Sequence, residues 1–184
     1  IQPDRLIHNW RRTTIDDPYP SYEALRPKFV DDVNAFTQFV VDEGLGRPSV
    51  IQAELTYVNP IPMAALGDTK DNLSWLLAPW SGQYSDDFLP PPEDVRIGLR
   101  YRISDPSSGD PVGRLYVDGA PALRPGAKGD QAEEVYMLQL FARGRPLGEG
   151  VAGALAFLDL GHDWIVRGFT SLTTSTMHKE WGRS

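Results

Sequence analysis

Asp159 precedes His162 by three residues near the end of the chain. A carboxylate and an imidazole one helical turn apart can ligate a metal, or pair as a general base and its orienting group. Asp163 stands beside them. The competing role is structural: a half-buried histidine bonded to a backbone carbonyl or to a neighbouring strand. Two potential ligands make no closed site, and an active-site pair needs a third partner, so the structural role is favoured. His8 and His178 are the other two histidines, and neither stands at a recognisable metal spacing from His162. With Cys also absent, nothing in the sequence calls for a metal or a cofactor.

A second feature is basic. Arg96, Arg100 and Arg102 fall at even spacing in a stretch of alternating character, which puts three guanidinium groups on one side of one strand. Arginine forks match carboxylates and phosphates, so this side could receive an anion or an acidic partner. The structural alternative is cross-strand pairing with Glu54, Asp118 or Glu134, and the surplus of acids favours it. Trp10, Tyr57, Trp75, Trp80, Tyr84, Phe88 and Trp164 could line a ligand pocket, although such residues more often build a core. No GxSxG, GxxxxGKT or GxGxxG pattern occurs. The pairs Asp16-Asp17 and Asp86-Asp87 sit in loops, where nothing holds them facing each other across a glycosidic bond.

These residues need elements to position them. From Val151 to Leu172, apolar residues at Val151, Leu155, Leu158, Ile165, Phe169 and Leu172 step by three and four, predicting a long amphipathic helix with His162 inside its stripe. An earlier helix follows Ser21, a good N-cap. Its face is Tyr22, Leu25, Phe29, Val33, Phe36, Phe39 and Val40; Pro27 is expected to kink it and Gly44 to stop it. Alternation predicts strands over Asp4–Arg12, Ser49–Asn59, Val95–Ile103, Val112–Ala120 and Glu134–Arg143. Pro60 and Pro62 are read as ending the second of these, and the last, apolar on both faces, suits a central position. A short helix is expected around Asn72–Trp80, packing through Trp75, Leu76 and Trp80. Ser81–Asp94 is irregular, and Thr170–Gly182 reads as a polar tail.

The order of elements, with strands joined by short loops, predicts an α+β fold. Its form is a curved antiparallel sheet packed against the long C-terminal helix and one helix of the N-terminal half, a helix-grip-like arrangement. At 184 residues the chain is read as one domain, 1–184, able to bury about 70% of its unfolded surface. A formal charge of −7 disfavours generic nucleic-acid binding, and no run is long enough to span a bilayer. The absence of cysteine suits a reducing, cytoplasmic setting.

Three stretches together carry a likeness: IQPDRLIHNWRR with YPSYEALRPKF, then AELTYVNPI, and finally FLDLGHDWIVRGFTSLTTSTMHKEWGR. They resemble a sporadically distributed, uncharacterised family of bacterial and archaeal proteins. The likeness spans residues 2 to 183 and is weakest between Pro62 and Gly129. Members of that family run longer at the N-terminus, which implies that this chain is a C-terminal portion or a processed form. The resemblance carries over no catalytic residue. Its patchy distribution is that of mobile accessory genes, including defence and toxin-neutralising systems.

The reading that follows is a non-catalytic protein that binds a macromolecule, with a protein partner expected. A second reading is a small apolar ligand held between sheet and terminal helix by Trp10, Tyr57, Arg100 and His162. A third is a metal-dependent hydrolase built on His162 and Asp159.

Overall fold

The computed structural model describes residues 5–11, 18–63, 73–80, 88–89, 92, 94–125 and 132–182. Ser21 caps the first helix, α1 (Tyr22–Asp42), by accepting a hydrogen bond from the Ala24 N–H. Gly44 ends it at φ 70°, where a residue with a Cβ would be strained. Pro27 lies within the helix, which continues through it.

Among the described residues four strands follow: β1 (Ala53–Pro62), β2 (Ile97–Ser104), β3 (Pro111–Arg124) and β4 (Glu133–Gly144). They form one antiparallel sheet in the order β1-β4-β3-β2. The doubly apolar strand β4 occupies the centre beside β3. Pro60 does not end β1, which runs on through Ile61 and stops at Pro62, a correction with a simple cause. At an edge, residues two apart aim their backbone nitrogens the same way, so both prolines can face the open side, where no ladder partner is missed. The expected strand over Asp4–Arg12 is also corrected, its two end residues lying outside the described set. Arg5 makes a bridge and residues 6–11 form no ladder, although burial still alternates along them. Alternation alone does not make a strand; a paired edge does.

The β2–β3 hairpin turns at Asp105, whose carboxylate accepts from the Ser107 N–H at 2.8 Å. One face of the sheet is covered by α3 (Gly150–Leu172). Leu115, Val117, Leu138, Leu140 and Ala142 on the strands meet Phe157, Leu158, Ile165 and Leu172 on the helix in a single core. The buried side of α3 runs through Ala154, Phe157, Leu158, Gly161, Ile165 and Leu172, so the stripe is rotated from the one expected and His162 borders it. Glycine explains the rotation. A Cβ on Gly161 would come within 2.9 Å of the Ala142 methyl, so this bare position lets helix and sheet approach. Gly144 likewise makes room for the Phe157 ring, which a Cβ there would meet at 2.4 Å.

The short helix α2 (Leu73–Leu76) buries Leu73 and Leu76, but Trp75 is 47% exposed and is not the packing residue expected. The polar tail is in fact structured. Thr173 bridges to Leu77, the Thr174 N–H donates to the Leu76 carbonyl at 3.1 Å, and α4 (Ser175–Glu180) buries Met177. Among the described residues no helix is long and apolar enough to cross a membrane.

Candidate functional site

The sheet divides the predicted site residues between its two faces. Tyr57 lies on the helix-covered face of β1, and its hydroxyl sits 3.0 Å from Nδ1 of His162. Tyr22, at the start of α1, stacks flat on the imidazole, with centroids 4.2 Å apart and planes inclined by 8°. Glu23 Oε1 lies 3.9 Å from the opposite nitrogen, Nε2. A proton on Nε2 therefore faces a carboxylate and leaves Nδ1 to accept from the Tyr57 hydroxyl. Burial, with Tyr19 and Glu23 nearby, pushes the Tyr57 hydroxyl up to about 12, so it keeps its proton at neutral pH and is a poor nucleophile. Trp10 joins this neighbourhood at one remove: it packs edge-on against Tyr19 at 5.0 Å.

Asp159 is committed elsewhere. Arg26 donates from Nε to one carboxylate oxygen at 2.6 Å and from a terminal nitrogen to the other at 2.8 Å; the Tyr22 hydroxyl donates to the first at 2.8 Å. The Arg26 fork, helped by the Tyr22 hydroxyl, holds the Asp159 carboxyl below its ordinary value, and burial together with that carboxylate raises Tyr22. This carboxylate is held by Tyr22 and Arg26 of α1 and does not orient His162. Among the described residues no three His, Cys, Asp or Glu side chains are grouped to hold a metal ion. The DxxH pair fastens α1, which has no buried residue of its own, onto α3.

Arg100 and Arg102 project from the other face, and Arg96 is exposed one residue ahead of β2. The second reading thus loses its geometry: Arg100 cannot line a cavity with Tyr57 and His162, because the sheet stands between them. Nor, among the described residues, do the aromatics gather into one pocket lining. Trp80 and Trp164 pack against the core, Trp75 and Phe88 are exposed, and Tyr84 lies outside the described residues, as do Asp16-Asp17 and Asp86-Asp87.

The pairing expected for the arginines is corrected as well. In register, Arg102 faces Arg114, Arg114 faces Arg143, and Arg143 faces Glu54. Glu54 is taken by Arg143, whose Nε donates to it at 2.5 Å. Asp118 stands opposite Gly98, and Glu134 belongs to the other side of β4. Arg100 instead lies over the Tyr116 ring, 5.5 Å from its centre; Tyr116 stacks on Phe141 at 4.6 Å, and Arg143 lies 5.5 Å from the Phe141 centre. The result is an aromatic pair flanked by guanidinium groups, beside a row of three arginines on adjacent strands.

Sequence reasoning missed Arg114 and Arg143 because it treated each strand alone; a face of arginines needs the register between strands. The sequence marks Tyr22 only as an apolar position. Its pairing with Arg26, four residues on, against Asp159 and His162, three apart, is the signal that could have matched the two helices. Compared with protein-family models, curated proteins and solved structures, the chain matches none.

Proposed function

We propose that this chain is a non-catalytic binding protein that presents the arginine-bearing face of its sheet to an acidic protein partner. The row Arg102–Arg114–Arg143 carries the reading. Like charges directly opposite one another weaken a sheet by roughly 0.2–1 kcal/mol per pair. A chain of formal charge −7 has carboxylates to spare, yet among the described residues only Glu54 pairs with this row. The fold does not need such a row, and a carboxylate-bearing partner would relieve it. A cytoplasmic role in defence or toxin neutralisation suits the cysteine-free sequence and the scatter of the family it resembles.

The test is affinity purification from the native host with the wild-type chain and with the Arg102→Glu, Arg114→Glu double variant. The wild type is expected to retain an acidic protein that the variant releases. Identical retention by both would remove the reading.

A further inference from the structure

Resting on that reading, we infer that the partner meets this face with an acidic amphipathic helix laid along the arginine row, across the strands. Spacing carries the inference. Arg102, Arg114 and Arg143 stand in register on three neighbouring strands. Adjacent strands lie about 4.8 Å apart, so the row spans roughly 10 Å. A helix rises about 1.5 Å per residue, so carboxylates at i, i+3 or i+4, and i+7 share a face and span about 10.5 Å. In an extended peptide, side chains on one face recur about every 6.7 Å, and a third carboxylate would overshoot the row by roughly 4 Å.

The neighbouring row supplies the other half of the match. Two residues along each strand lie Arg100, Tyr116, Phe141 and Thr56. A helix is about 10 Å across, so one seated on the arginines rests its flank on the stacked Tyr116 and Phe141. The partner helix therefore carries an apolar stripe beside its acidic one. Glu54 closes the row at the β1 edge, so the helix position reaching it is neutral or basic. Arg143 donates to Glu54 through Nε and keeps its other N–H groups for a second carboxylate.

Fluorescence anisotropy with four labelled probes tests this. The first is a helical peptide with glutamates at i, i+4 and i+7 beside leucines; the second has the same composition with its glutamates spread around the helix. The third is an extended peptide with glutamates at alternate positions, and the fourth a single-stranded oligonucleotide. The first is expected to bind at least tenfold more tightly than the others and to lose that binding with Arg102→Glu, Arg114→Glu. Equal binding of the three peptides, still lost in the variant, would overturn the helix and leave the acidic-partner reading standing. Binding that ignores the variant, no peptide binding at all, or preference for the oligonucleotide would overturn both. Unchanged circular dichroism of the variant shows that it folds.

Discussion

On the side of the sheet that meets α3, Leu115, Leu140 and Ala142 are sealed beneath Phe157 and Ile165. One residue along the same strands, Arg114 and Arg143 stand in water, with Phe141 half-covered between the Arg143 guanidinium and the Tyr116 ring. Each strand thus serves two environments through its period of two, and a slip of one residue would exchange them. The helix-covered face is governed by shape: bare Gly161 and Gly144 matter there as much as large side chains do. The open face is governed by charge and stacking, and its residues leave shape complementarity to whatever they meet. Substitutions should therefore separate stability from binding according to the face they strike.

The largest expected effect is at Phe157, which is fully buried and fills the space left by Gly113 and Gly144. Phe157→Ala removes the ring and leaves a cavity that two β-strands cannot collapse into. A loss of about 3–5 kcal/mol is expected in urea denaturation. A loss under about 1 kcal/mol would mean that this face tolerates voids, and the contrast between the faces would fail.

How much of this could be read from the sequence differs by element. The terminal helix was expected over Val151–Leu172 and runs Gly150–Leu172; the central strand was expected over Glu134–Arg143 and runs Glu133–Gly144. Periodicity is local, so both were legible. The rotated stripe of α3 was not, since Gly161 contributes by what it lacks and a hydrophobic pattern cannot register it. For the candidate sites, the even spacing of Arg100 and Arg102 was visible, and Tyr57 and His162 were both singled out. Their contact with each other, and the alignment of Arg102 with Arg114 and Arg143, depend on register and packing between elements distant in sequence.

A smaller effect belongs to the margin of the covered face, where Asp159 holds α1. Both partners are partly exposed, Arg26 at 37% and Asp159 at 44% of the side chain, so water screens the pair heavily. After that discount Asp159→Asn should cost about 1 kcal/mol near neutral pH. Its folded carboxyl is depressed, chiefly by Arg26, so the stabilisation is present above the unfolded value of about 3.9 and fades as pH falls through the folded one. Thermal melts of wild type and variant should therefore differ at pH 7 and draw together as pH falls below about 4, through the depressed folded value. A gap as large at pH 3 as at pH 7 would show that the substitution disturbs packing and not the ion pair.

The smallest effect on stability, and the sharpest separation of the faces, is expected from Arg114→Glu. Arg114 stands directly opposite Arg102 on one side and Arg143 on the other. A glutamate there replaces two like-charge pairings with two opposite ones on an exposed surface. Stability should hold or rise by about 0.2–1 kcal/mol. The same change puts a negative charge at the centre of the row that would receive carboxylates, so binding of the acidic helical peptide should fall at least tenfold. A stabilised protein that no longer binds would mean that the arginine row is kept at the expense of the fold. A variant that is destabilised by more than about 1 kcal/mol would instead make Arg114 a structural member of the sheet, and the open face would join the covered one in serving stability.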